Sequence, residues 1–109
     1  PRYRVKVKDG KSIVAKTMYD ENVFVQTKKL LSILKYKGAC NVQMFFKDED
    51  IKFIEINPRL SAGGLPLATE VGVNIPELMM YDYFDSVADE MIDYNKNLTM
   101  YRYLTEIFV

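Results

Sequence analysis

The chain has 109 residues, 15 basic and 15 acidic side chains, a formal net charge of zero, and 49% apolar residues. That composition suits one globular domain or a portion of one, and excludes a disordered or fibrous chain. Balanced charge without a basic stripe argues against nucleic acid as a partner, and no apolar run nears the roughly 20 residues that cross a bilayer.

Histidine is absent, which excludes Ser–His–Asp and Cys–His catalytic units and histidine-based zinc sites within this chain. Chemistry here must come from carboxylates, amides, lysines, arginines and backbone groups. Cys40 is the single cysteine and reads as a small buried hydrophobe; with no internal disulfide available, a reducing, cytoplasmic setting is expected. Strand-like sequence follows Pro1 at once, with no initiator methionine, so the expectation is a portion of a longer protein.

Residues 2–8 alternate, Tyr3, Val5 and Val7 on one face and Arg2, Arg4, Lys6 and Lys8 on the other, as in a half-exposed strand. Asp9-Gly10 favours a tight hairpin turn, and residues 11–18 read as the returning strand. Asp20 is placed to cap an amphipathic helix over about residues 20–36, carrying Val23, Phe24, Leu30, Leu31 and Leu34. Gly38 is expected to supply the left-handed residue that ends it.

Residues 39–46 and 51–57 read as two strands around the polar turn 47–50, with Pro58 closing the second. A loop at 60–64 leads to a short helix ending near Gly72. Asn74 with Glu77 then caps a helix that carries Leu78, Met79, Tyr83 and Phe84. A short helix near 86–93 and a final strand over 98–109 complete the expected order. The fold class is α+β, an antiparallel sheet flanked by helices, in a single domain over residues 1–109.

The segment 41–59 carries the densest chemistry. A turn centred on Glu49 would set Gln43 opposite Glu55 and Asn41 opposite Asn57, with Val42, Met44, Ile54 and Ile56 on the apolar face and Phe53 beside Glu55 on the polar one. Gln43, Glu55 and Asn57 would then form a cluster of oxygen donors that suits magnesium, which takes one or two carboxylates and fills its octahedron with water and phosphates. A polar hairpin face is also the ordinary face turned to solvent, and composition alone leaves both readings open.

The strings N-V-Q-M at 41–44 and F-I-E-I-N-P-R-L-S at 53–61 resemble the magnesium hairpin of the ATP-grasp superfamily, in particular the carbamoyl-phosphate-synthase kind. The resemblance extends through Gly63-Gly64, the stretch 72–78 and the late segment 100–103, and implies the C-terminal subdomain of an ATP-grasp fold. It implies that Gln43, Glu55 and Asn57 hold Mg2+ (or Mn2+) on the phosphates of ATP. It also implies that Arg59 is the catalytic contact to phosphate or acyl phosphate, and that Ser61 and Gly63 join Arg59 in binding nucleotide or substrate.

The implied parent is an ATP-dependent ligase that joins a small carboxylate to an amine or ammonia through an acyl phosphate. The glycine-rich phosphate loop and adenine-binding lysine of that family have no match here. The chain on its own is therefore expected to lack ligase activity. Arg2 and Arg4 read either as substrate contacts or, with Lys6 and Lys8, as a charged edge that blocks sheet-to-sheet pairing. A second reading of the whole chain is a non-catalytic ATP-grasp relic, an interaction module or homodimer joined through Tyr and Met side chains near 79–84 and 100–103.

Overall fold

A computed structural model describes residues 1–84 and 93–103. Its elements run β1 (Arg2–Lys8), β2 (Lys11–Thr17), α1 (Glu21–Ile33), β3 (Asn41–Lys47), β4 (Asp50–Asn57), α2 (Leu65–Glu70), α3 (Ile75–Tyr83) and β5 (Thr99–Tyr101). The α+β class is as expected. The strands divide into two antiparallel groups, a three-stranded sheet in the order β1-β2-β5 and the separate hairpin β3-β4. The short helix expected near 86–93 lies outside the described residues, as does the part of the last expected strand beyond residue 103.

Both hairpins close through two-residue turns whose central residues have positive φ: Asp9 (49°) with Gly10 (74°), and Asp48 (50°) with Glu49 (67°). That geometry matches the right-handed twist of the strands it joins. The first hairpin is not the simple alternation expected. Arg2 pairs with Thr17 and Arg4 with Ala15, but Lys6 pairs with Val14, so the register shifts across Val5. Paired residues share a face. The shift therefore keeps Arg2 and Arg4 together and turns Lys6 to the opposite side.

Helix α1 is capped by Asp20, whose Oδ1 accepts from Val23 N at 2.9 Å. It ends earlier than the sequence suggests. Lys35 (φ 50°), not the later left-handed Gly38 (φ 88°), ends it, with Tyr36 N donating to Leu31 O at 3.0 Å and Lys35 N to Ser32 O at 3.1 Å. These paired bonds are a Schellman ending. Helix α2 ends the same way, with Gly72 (φ 85°) in the left-handed position and Val73 N donating to Ala68 O at 3.0 Å. The Asn74 cap of α3 forms as expected, accepting from Glu77 N at 3.3 Å.

Among the described residues, the buried apolar side chains are Ala15, Val23 and Leu67, accompanied by buried Ser12 and Thr17. Thr17 is satisfied by donating to Asn95 O (2.7 Å) and accepting from Leu98 N (2.9 Å), which fastens the segment entering β5 to the end of β2. Many large apolar side chains stay open, among them Phe45, Tyr83 and Tyr103 at 70%, 80% and 83% exposure. The radius of gyration, 15.1 Å, exceeds the ~13 Å of a compact domain this size, as expected of a thin core with uncovered faces.

The two helix endings generate a stability test. Lys35→Gly removes the side chain from a left-handed site and is expected to stabilise the fold by about 1 kcal/mol. Gly72→Ala is expected to destabilise it by a similar amount, about 1 kcal/mol. Thermal unfolding of both variants measures the opposite signs.

Candidate functional site

The site lies where the β3-β4 hairpin meets β1 and the loop before α2. From the Asp48-Glu49 turn the strands pair regularly, Lys47 with Asp50 through Met44 with Phe53. Continued without change, that register would set Gln43 opposite Ile54. Instead it shifts, and Gln43 pairs with Glu55, Val42 with Ile56 and Asn41 with Asn57.

Ile54 is thus an extra residue, a β-bulge of the kind that re-aims side chains beside functional sites. The expected pairing is met, but by a bulge and not by a turn centred on Glu49. The bulge also corrects one face assignment. Phe53, paired with Met44, joins the apolar side and not the side of Glu55.

On the polar face the three expected ligands converge. Asn57 Nδ2 donates to Glu55 Oε1 at 2.7 Å, and Gln43 Nε2 donates to the same oxygen. The Gln43 carbonyl oxygen turns the other way and accepts from Arg4 Nη1 at 2.7 Å. Arg4 also donates from Nη2 to Gly10 O (2.8 Å) and from Nε to Ser12 Oγ (3.2 Å), so all three guanidinium nitrogens are directed. A polar chain therefore runs from Asn57 through Glu55 and Gln43 to Arg4 and buried Ser12.

Arg59 follows a strand that ends where Pro58 was expected to close it. The strand stops at Asn57, and Arg59 N donates back to Asn57 O at 2.8 Å around Pro58. The exposed guanidinium reaches only Leu60 O, at 3.5 Å. Ser61 accepts from Arg2 Nη2 at 3.0 Å, and its carbonyl receives Gly64 N and Leu65 N at 2.9 and 2.8 Å. Gly63 packs against the backbone of Ser12, where an added Cβ would stand 3.5 Å from the Ser12 nitrogen.

Gly64 has a different constraint. Its φ of −120° suits any residue, so backbone freedom does not require glycine. The space favours it: a Cβ there would meet the Arg2 guanidinium, which would have to shift.

Arg2 is half-buried, and its Nε is buried without a hydrogen-bond partner. Burial lowers its pKa first, followed by repulsion from Arg4 and Arg102. Arg102, just beyond β5, donates from Nη2 to Ala62 O at 3.1 Å, and its own N–H bonds Ile13 O at 2.7 Å. The sequence singles out Arg2 and Arg4; Arg102 falls within the resembling segment 100–103 but is given no role there. Its role arises from β5 pairing with β2, a contact between distant parts of the chain.

The functional setting comes from comparison with known proteins. Residues 2–106 match the family described as ATP-grasp in the biosynthetic pathway with Ter operon. The chain belongs to the ATP-grasp family. Among curated relatives, the carbamoyl phosphate synthase large chain of Thermotoga petrophila is 42% identical over 69 residues, covering 51% of this chain. The same enzyme chain of Methanoculleus marisnigri is 34% identical over 64 residues (47% of this chain), and that of Methanosarcina acetivorans 29% over 65 residues (60%). The matches span about 6% of the length of each of these relatives. Among the described residues, no helix is long and apolar enough to cross a membrane.

The Gly64–Arg2 contact can be measured directly. Gly64→Ala is expected to drive Arg2 off Ser61, and the loss should vanish when Arg2 is already Ala. A double-mutant cycle read by thermal unfolding should give a coupling of about 1 kcal/mol between the two positions.

Proposed function

We propose that this chain forms the metal-holding half of the ATP site in a ligase that joins a small carboxylate to an amine or ammonia. The observation that carries this reading is the convergence of Gln43 and Asn57 on the carboxylate of Glu55, on one face of a hairpin in an ATP-grasp chain.

The donor set fits magnesium. It consists of one carboxylate and two amides, all offering hard oxygens, and no group of three His, Cys, Asp or Glu occurs among the described residues to favour a softer metal. Gln43 now meets Glu55 through its nitrogen, while its oxygen serves Arg4. For that oxygen to serve a cation, the Gln43 amide must turn over and release Arg4. Magnesium, when bound to Glu55, Asn57 and Gln43, would neutralise phosphate charge.

In the proposed reaction a substrate carboxylate oxygen attacks the γ-phosphorus of ATP. The bond to the bridging oxygen breaks, and ADP leaves with that electron pair. The amine then attacks the acyl carbon, phosphate departs, and the nitrogen gives up a proton. Such transfer depends on positioning and charge stabilisation, and calls for no covalent side-chain nucleophile. Arg59, exposed on the far side of the Pro58 turn, is proposed to reach the transferred phosphoryl group, and the 61–63 loop to line the same end of the site. The remaining parts of an ATP site, a phosphate-covering loop and an adenine pocket, are proposed to come from elsewhere in the full-length protein.

The test is ATP-dependent phosphate release by the full-length protein with Glu55→Gln and Asn57→Ala. Each is expected to lower turnover by roughly a hundredfold or more, with a matching loss of Mg2+ affinity in isothermal titration. Full activity in Glu55→Gln would end the reading.

A further inference from the structure

The three arginines beside the hairpin are unexplained by the metal-holding role. Arg2 and Arg4 share a face of β1, and Arg102 approaches the same place from the end of β5. Arg2 and Arg102 flank the loop before α2, bonding Ser61 Oγ at 3.0 Å and Ala62 O at 3.1 Å, and Arg4 bonds Gln43. Both Arg4 and Arg102 act on Arg2 as like charges.

Gathering like charges on a half-buried guanidinium is costly unless an anion compensates them. Among the described residues no carboxylate forms an ion pair with any of the three; the ion pairs found are Lys47–Asp48, Lys52–Asp50 and Lys96–Asp93, all distant in role. Among the described residues, the carboxylate that the cluster reaches by hydrogen bonds is Glu55, through Gln43. The described residues thus bring three guanidiniums together with one hydrogen-bonded carboxylate.

Two further observations point to a ligand. Arg2 Nε is a buried donor with nothing to bond, and buried donors are seldom left so. Position 64 carries glycine although its φ of −120° demands none, and the space so kept is occupied by the Arg2 guanidinium.

We propose that Arg2, Arg4 and Arg102 form the pocket for the acyl-donor substrate, and that this substrate is a doubly charged carboxylate, a dicarboxylic acid. The proposal rests on the ligase reading for the word substrate and on the arginines for the charge class. Planar guanidiniums match carboxylates two bonds at a time. The Arg4–Gln43 bond sets the cluster directly beside the Glu55 group. A carboxylate held there would lie next to the phosphoryl end of the nucleotide, where acyl phosphate formation requires it. Phosphate is the rival source of negative charge, and the experiment separates the two.

The full-length protein is titrated with succinate, acetate, inorganic phosphate and Mg–ATP at constant ionic strength, by calorimetry and by the arginine Nε–H signals in nitrogen-15 NMR. Succinate is expected to saturate, to bind more tightly than acetate or phosphate, and to shift the Arg2 Nε–H signal. Arg2→Gln and Arg102→Gln are each expected to weaken succinate roughly tenfold or more, as loss of a charged hydrogen-bond donor does, with Mg–ATP affinity unchanged. Glu55→Gln is expected to do the reverse.

Phosphate binding more tightly than succinate, or succinate affinity unchanged in both arginine variants, would overturn the proposal. Succinate bound by a protein that does not bind Mg–ATP would sink the ligase reading and with it the name substrate. The two failures are therefore separable.

Discussion

Arg4 is the joint on which the site depends. Its planar fork is held on three sides, by the Gly10 carbonyl at the first turn, the Ser12 hydroxyl on β2 and the Gln43 carbonyl on β3. The two strand groups share no ladder, so this guanidinium ties the polar face of one to that of the other. Because its donors diverge at fixed angles, it fixes direction as well as distance. Gln43 is thereby held in its metal-free arrangement, its nitrogen toward Glu55 and its oxygen toward Arg4.

Much of this was legible in the sequence. The E-I-N-P-R string, the Asp20 and Asn74 caps and the 43–55 pairing were all readable from spacing and residue type. What was not legible depended on irregularity or on long-range pairing. None of the three register shifts leaves a strong local mark, because a bulge residue such as Val5 or Ile54 is also a good strand former. Lys35 in a left-handed conformation contradicts its own preference and is held there by the two backbone bonds of the helix ending.

Arg102 belongs to the same lesson. Its segment 100–103 shares the family resemblance, but the local pattern does not mark Arg102 for the site. It reaches the site because Thr17 fastens the chain at residues 95–98 and β5 then follows β2. Arg2 and Arg4 read with Lys6 and Lys8 as one charged face, yet the shift at Val5 divides them. The lysines remain exposed on the edge strand, consistent with edge protection, while Arg2 is drawn into the structure.

The extra residue at Ile54 has a consequence for how such hairpins vary. It divides β4 into two stretches with independent frames, one tied to the tip and one to the carboxylate. A residue gained at the tip could be offset by losing the bulge, leaving the opposing amides where they are. Homologous chains can therefore change tip length and surface character freely while the chemical end keeps its alignment, as a gearbox lets one shaft change speed without moving the other.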